Sequence, residues 1–335
     1  MKILITGGTG FLGRRLVERL GGADSGHELA LLARPSSDRS GFPGSVEWVT
    51  GDVADRASLA AAFAGRDAVI HAAALVKILA PAADFDRVNV EGLGNVLAAA
   101  ESAGVARLVY VSSFMAFGPT ERLPGGVADE STDVFADRRW INHYERTKTL
   151  ADRAARRAID DGAPLSVVYP GVIYGPGVLT EGNIVVRHLL DLAAGKLPGQ
   201  LGDPEHVWNY VFVDDVADGI ARTLDAEPGQ RYVLGGENVT QRRFYDLVAE
   251  RGDVDFKRRR IPDVAAKLAG FLLRETARIT RQTPRLTPDL VNIYAHDWAL
   301  DSSRAAAELG WSGRPFADGL GATLDWLREI GKWPS

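Results

Sequence analysis

The sequence predicts an α/β fold, with a doubly wound parallel sheet in the first half and a smaller mixed α/β unit after it. Three observations carry this. Short apolar runs alternate with Ala-rich amphipathic stretches from Lys2 to Tyr169. A glycine-rich turn joins the first apolar run to the first helical pattern. The alternation breaks after Tyr169, where Pro170-Gly171, Gly175-Pro176-Gly177 and Pro198-Gly199 mark loops.

Strands are expected at Lys2–Thr6, Leu29–Leu32, Val46–Thr50, Ala68–His71, Arg107–Val111 and Leu165–Tyr169. Each is a continuous apolar run, the pattern of a strand buried on both faces. Helical patterns lie between them at Ser58–Phe63, Asn95–Ser102 and Thr147–Ile159. Right-handed crossovers then give a doubly wound, Rossmann-type sheet. A further strand, Tyr210–Val213, and a helix from about Val216 read as a return to that sheet. The expected division is therefore a nucleotide-binding domain over 1–170, rejoined by about 208–235. The segments 171–207 and 236–335 form a substrate-binding lid.

The 335 residues are enough for a large core, so no disulfide or metal staple is required. Hydrophobic content of 46% with 25% charged residues is ordinary for a soluble globular chain. The absence of cysteine excludes disulfides, thiolate zinc sites and a cysteine nucleophile, and no metal site is expected. A net charge of -5 argues against a nucleic-acid surface. No signal peptide and no membrane-spanning apolar run are visible, so a cytoplasmic protein without a membrane partner is expected.

Gly7-x-x-Gly10-x-x-Gly13 follows the first strand directly, and Leu12, Leu16, Val17 and Leu20 continue as an amphipathic helix. In that context the turn Gly7, Gly8, Thr9, Gly10, Phe11, Leu12, Gly13 is a dinucleotide pyrophosphate site. Glycines keep side chains away from the phosphates, and the helix N-terminus offers unpaired N–H groups. NAD sites place a carboxylate about 20 residues further on, against the ribose 2′-OH. Here that position is Ala33, followed by Arg34, with Ser36 and Ser37 beyond. A guanidinium grips a 2′-phosphate that a carboxylate would repel, so NADP(H) is expected, NAD being the alternative. Asp52 after the third strand is positioned either to bond the adenine amine or to cap a turn.

Tyr144-x-x-x-Lys148 puts a phenol and an ammonium on one helix face. A nearby cation would favour the phenolate and lower the phenol pKa. Alone, this pattern is equally that of a surface pair. It is accompanied by Val111-Ser112-Ser113, Gly51-Asp52-Val53, His71-Ala72-Ala73-Ala74, Asn89-Val90-Glu91-Gly92 and Tyr169-Pro170-Gly171-Val172. Later come Val213-Asp214-Asp215, Asp301-Ser302-Ser303 and Leu309-Gly310-Trp311.

With these motifs in this order, nearly the whole chain resembles the extended short-chain dehydrogenase/reductase family of NAD(P)-dependent epimerases, dehydratases and reductases. The resemblance implies Tyr144 as general acid/base, and Lys148 as the group that lowers its pKa and binds the nicotinamide ribose. It implies Ser113 as hydrogen-bond donor to the substrate oxygen, with Ser112 ranked second. The cofactor would lie against the glycine turn, Val53, Ala72, Ala73, Ala74 and Asn89, with backbone near Pro170 and Val172 facing the nicotinamide. Asp214 and Asp215 are expected to cap and pack.

Nucleotide-sugar members of the family hold the sugar diphosphate with charged lid residues. Trp208 and Phe212 stand at the matching places here, and Val291 and Tyr294 at a second pair. Arg187 or Arg285 could compensate. The turn Arg34-Pro35-Ser36-Ser37 and the segment Leu234-Gly235-Gly236-Glu237-Asn238 are most similar to the dihydroflavonol-reductase-like branch. The expected activity is NADP(H)-dependent reduction of a ketone or aldehyde on a small apolar or aromatic substrate. The alternatives are a sugar epimerase or dehydratase and, less favoured, a non-catalytic NADP-binding sensor. Ala-rich helices at Val88–Ser102 and Thr147–Ile159 point to a homodimer. The basic run Lys257–Arg260, with Arg274, Arg278 and Arg281 after it, is read as a solvated lid face rather than a membrane-surface helix.

Overall fold

The computed structural model describes residues 1–22, 25–76, 80–133, 139–180, 182–196, 199–254, 259–280 and 286–334, with backbone alone over 277–280. The first half runs β1 (Lys2–Thr6), α1 (Phe11–Leu20), β2 (Glu28–Ala33), β3 (Glu47–Thr50), α2 (Arg56–Phe63) and β4 (Ala68–His71). A short helix, α3 (Ala82–Phe85), passes through a π-helical stretch, Asp86–Glu91, into α4 (Gly92–Ala103). Then come β5 (Arg107–Val111), α5 (His143–Asp160), β6 (Leu165–Pro170), β7 (Val172–Tyr174), α6 (Ile184–Ala193) and β8 (Val207–Phe212). The remainder is α7 (Val213–Asp225), β9 (Arg231–Leu234), β10 (Glu237–Thr240) and α8 (Gln241–Gly252). It ends with α9 (Asp263–Thr280), α10 (Pro288–Tyr294), α11 (Ser303–Leu309) and α12 (Phe316–Glu329).

Seven parallel strands form the main sheet in the order β3-β2-β1-β4-β5-β6-β9. Side chains alternate along each strand, so both faces need cover. Ile3 and Ile5 of β1 meet Leu16 and Leu20 of α1 and Val216 and Ile220 of α7 on one face. Leu4 and Val69 meet Leu59 and Phe63 of α2, Val96 of α4 and Ala151 and Ala155 of α5 on the other. This double burial explains why the strands read as unbroken apolar runs. The strand order reverses between β1 and β4, and the crevice at their carboxyl ends is where such sheets bind ligands.

The expected strand at Tyr210–Val213 is present as β8, but it does not return to the main sheet. It pairs with β7 and β10 in a separate three-stranded sheet, and Val213 already begins α7. The return is made by β9, which pairs with β6. Gly171 is the parting point: a Cβ there would stand 2.3 Å from Asn209 Oδ1, so only glycine lets β7 leave β6 this close to β8. An apolar run announces a strand without saying which sheet receives it. Trp208, Tyr210 and Phe212, every second residue of β8, face an aromatic lid core with Tyr174, Phe244 and Phe316.

Gly13 shows how tightly the first turn is built. A Cβ on it would lie 2.2 Å from the Gly7 carbonyl oxygen and 2.6 Å from Gly8 Cα, both backbone. Gly94, exposed in α4, has nothing within 4 Å of the same position. Gly13→Ala should therefore cost about 1–3 kcal/mol in thermal unfolding and abolish dinucleotide binding. Gly94→Ala should raise stability by roughly 0.5–1 kcal/mol, as expected for glycine inside a helix.

Candidate active site

Gly7 has φ +75° and presses against the loop after β4, where a Cβ would come within 2.6 Å of the Ala73 nitrogen. Ala72 N donates to Thr6 O at 3.1 Å and Ala73 N to Thr6 Oγ1 at 3.3 Å. The glycine turn and Ala72–Ala74 thus form one wall of backbone. Gly10 is the N-cap of α1, with no side-chain cap and no acid in the first turn. The N–H groups of Phe11, Leu12 and Gly13 have no partner within the helix, and Thr9 sits half-buried in the turn before them. A positive helix end inside a cradle that any Cβ would fill suits a dinucleotide pyrophosphate.

Arg34 is exposed directly past β2, beside exposed Ser36, and Ser37 N donates to its carbonyl at 3.0 Å. Asp52 closes a turn: its Oδ1 accepts from Ala54 N at 2.9 Å, and its own N–H donates to Ser58 Oγ. That geometry is the turn-capping alternative of the two considered for this residue. Val53 is buried against Gly92. Pro170 is the last residue of β6 and Val172 the first of β7, one strand along from Ser113 past β5.

The reacting groups depend on how α5 begins. Asn142 Oδ1 accepts from Glu145 N at 2.8 Å, and Glu145 Oε2 accepts from Ile141 N at 2.6 Å. This reciprocal cap starts the helix at His143, four residues before the expected Thr147, and sets Tyr144 in its first turn. The signal, Asn142-x-x-Glu145, stands in the sequence. Ser113 caps the short turn at Phe114–Ala116 and hydrogen-bonds the Tyr144 phenol. Ser112 lies against the Tyr110 phenol instead. The fold thus brings Ser113, not Ser112, to Tyr144.

The Tyr144 phenol is pushed up to about 12 by burial, offset in part by the Ser113 hydrogen bond. The phenolate-favouring shift was expected with an oxidised nicotinamide ring as well as the lysine beside the phenol; in the protein alone the shift is upward. The cause is distance and desolvation: Lys148 Nζ lies 6.0 Å from the Tyr144 ring and donates to Val111 O at 2.9 Å and Tyr110 Oη at 3.4 Å. Burial brings the Lys148 ammonium down to about 7, while Asp152, one turn on, pulls the other way. Asp152 is wholly buried and paired with Arg156 at 2.8 Å. His71 stacks on Tyr110, bonds Thr6 Oγ1 at 2.7 Å, and is held neutral, near 3, by burial and by the Lys148 charge.

Asn89 has its side-chain amide engaged within the chain. Its amide donates to Leu75 O and to Thr147 Oγ1, both at 3.1 Å, and its oxygen accepts from Leu75 N at 2.7 Å. Its polar atoms are spent on tying the loop after β4 to α5, between Tyr144 and Lys148. Thr147, the receiving residue, was not among the expected site residues. Asp214 pairs with Arg15, and Asp215 with Arg314, so both pack and neither reaches the site.

The lid side is aromatic. Trp208 is buried, lies 4.5 Å from Tyr294 ring to ring, and donates its indole N–H to His296 O at 3.2 Å. Phe212 and Val291 are equally buried. Tyr144 packs at the edge of this core with Phe114, Ile141 and Leu190. Arg187 is half-buried on α6, and Arg285 lies outside the described residues.

The family model described as the NAD dependent epimerase/dehydratase family matches residues 3–235. The chain is 30% identical to sterol demethylase protein B of Methylococcus capsulatus, covering 99% of each chain. It is 27% identical to a putative dihydroflavonol 4-reductase of Synechocystis, over 98% of this chain and 94% of that one. It is also 27% identical to a farnesyl-dihydroquinoline-oxide ketoreductase of Stigmatella aurantiaca, over 99% and 97%. Among solved structures, the dTDP-glucose 4,6-dehydratase DesIV of Streptomyces venezuelae, with NAD bound, superposes with a TM-score of 0.76 at 26% identity, covering 99% of each.

The buried lysine makes a prediction about stability. Its folded value, about 7, lies below the ordinary 10.5, so between these pH values the unfolded chain binds more protons. The penalty is complete below about pH 7, and the Lys148 contribution therefore makes cofactor-free stability rise with pH through that window. Lys148→Met should unfold at higher denaturant than the parent at pH 7, with the difference shrinking toward pH 10. Urea titrations of both proteins without nucleotide check this, and an equal gap at both pH values would contradict it.

Proposed function

The chain belongs to the NAD dependent epimerase/dehydratase family of NAD(P)-dependent oxidoreductases, and from that membership we propose that it is an NADP(H)-dependent reductase of an apolar or aromatic ketone or aldehyde. One observation carries the substrate class. The groups at the reacting end, Ser113 and Tyr144, open onto Phe114, Ile141 and the aromatic lid, and the lid positions used for sugar diphosphates hold buried Trp208, Phe212, Val291 and Tyr294. An apolar wall of this kind favours an apolar ligand with few polar anchors. The ketoreductase and dihydroflavonol-reductase names among the relatives agree with it.

The uncapped start of α1 and the backbone at Ala72–Ala74 would hold the pyrophosphate, Arg34 the 2′-phosphate, and Lys148 the nicotinamide ribose. When bound, the nicotinamide supplies a hydride to the carbonyl carbon. The chain's own residues handle the oxygen. Ser113 Oγ and the Tyr144 phenol lie side by side, and each would turn its one hydroxyl proton from its neighbour to the substrate oxygen. Because burial keeps the phenol protonated, Tyr144 has a proton to give as negative charge develops on the oxygen. Lys148 then faces the phenolate from behind, and Asp152 favours its charged form. A sugar epimerase or dehydratase is the second reading, favoured by the superposition on DesIV along the full chain. A homodimer formed by α4 and α5, and a cytoplasmic site of action, belong to the same proposal.

Following NADPH absorbance against ketones, aldehydes and nucleotide sugars separates the readings: net oxidation supports the reductase, and epimer formation without net oxidation supports the second. On an accepted substrate, Tyr144→Phe should lower turnover by about 10²–10⁴ and leave nucleotide affinity nearly unchanged. A variant with parental turnover would overturn the assignment. Arg34→Ala should weaken NADP(H) by about 1.5–3 kcal/mol while sparing NAD, read by paired calorimetric titrations. Tighter binding of NAD than of NADP to the parent protein would refute the cofactor preference.

A further inference from the structure

Helix α9 is turned the wrong way for a lid helix in water. Its inner edge is Ala266, buried, and Gly270, where a Cβ would lie 2.9–3.0 Å from the backbone of Thr287 and Pro288 at the start of α10. One helical face away stand Val264, Leu268 and Leu272, spaced by four and 81%, 62% and 57% exposed. Phe271 and Leu273 are exposed beside them. A surface helix ordinarily gives its apolar face to the core and its charges to solvent. Here the solvent side carries an apolar stripe beside the exposed Arg259, Arg260 and Lys267.

The sequence of this segment is strongly basic. From Lys257 to Arg285 the sequence has nine Lys or Arg and two acids, in a chain of net charge -5. Lys257, Arg258, Arg281, Arg285 and the Arg278 side chain lie outside the described residues. Arg259, Arg260 and Lys267 are exposed, and Arg260 pairs with Asp203 and Asp263. Glu275, the acid on the apolar side, is paired with Arg274. Aliphatic and aromatic side chains bordered by basic ones are the composition of a helix that lies in a lipid headgroup boundary. Among the described residues no helix is long and apolar enough to cross a membrane, so the arrangement is one of contact, not insertion across the bilayer.

The inner edge of the helix, opposite the apolar stripe and continued by Arg274, is the side that leads toward α5. Asp289 in the first turn of α10 senses both Arg274 of α9 and His143 of α5, and His143 precedes Tyr144. We propose that α9 docks this protein on anionic phospholipid bilayers through Val264, Leu268, Phe271 and Leu272, at the surface from which an apolar carbonyl substrate would be drawn. The docking stands on α9 alone, while the substrate route rests on the reductase reading above.

The test is sedimentation of the full chain, without substrate, with vesicles of phosphatidylcholine alone or mixed with phosphatidylglycerol. Most of the protein should sediment with the anionic vesicles and little with the neutral ones. The triple variant Val264→Gln, Leu268→Gln, Leu272→Gln should bind anionic vesicles about tenfold or more weakly. It should keep parental turnover of a water-soluble ketone and lose turnover of a bilayer-dissolved one. Parent protein that stays in the supernatant, or a variant that sediments like the parent, overturns the docking. So does light scattering in which a parental dimer becomes a monomer in the variant without any vesicle binding, because a second copy would then cover the face. Vesicle binding by a protein that reduces no carbonyl compound would sustain the docking and refute the reductase reading, and the reverse result would do the opposite.

Discussion

The site rests on backbone touching backbone at the point where the strand order reverses. Gly7 leaves β1 in a left-handed conformation and lies against Ala72 and Ala73, so the first turn and the loop after β4 are one surface. Gly13 brings α1 down onto the same turn. Nothing larger than hydrogen fits at either place without moving main chain. The orientation of the α1 terminus, and hence where an anion can sit, follows from this contact. The loop after β4 is in turn fixed to α5 by Asn89 and Thr147, so the anion end and the proton-donating end share one rigid frame.

The second organising feature is a cation held where water cannot solvate it. Lys148 has Val111 O, the Tyr110 phenol and the distant field of Asp152 around it, and among the described residues no acid pairs with it directly. A buried charge with so few partners is costly. The neighbouring His71 adapts by remaining neutral. Strain of this kind belongs where a ligand is meant to complete the set of partners, and the ribose hydroxyls are such a ligand in the proposed function.

Much of this was readable before the fold was seen. The main-sheet strands other than β9 were visible because burial on both faces writes an unbroken apolar run. The first turn was visible because three glycines at fixed spacing have a steric cause. The first turn of α5 was readable from Tyr144-x-x-x-Lys148 on one helix face, and Asn142-x-x-Glu145 spells its cap, although the Ala-rich pattern begins only at Thr147. The sheet receiving β8 was not readable, since that depends on Gly171 approaching Asn209 across a long sequence gap. The part played by Asn89 was hidden for the same reason: its partner Thr147 is 58 residues away. The apolar stripe of α9 was not readable because charge dominates its composition, and the stripe emerges only once Ala266 and Gly270 are known to face inward.

The division of labour in the nucleotide site has a consequence for its history. The turn after β1 offers main-chain N–H groups, which every residue but proline possesses, whereas in the proposed function the choice between a hydroxyl and a phosphate on the adenosine ribose falls to an exposed side chain just past β2. The first cannot drift without breaking main-chain contacts, and the second can change by single substitutions that disturb no packing. Redox currency is thus an evolvable trait here, separable from the architecture that holds the coenzyme, and a lineage could exchange one pool of reducing equivalents for another while its core stayed the same.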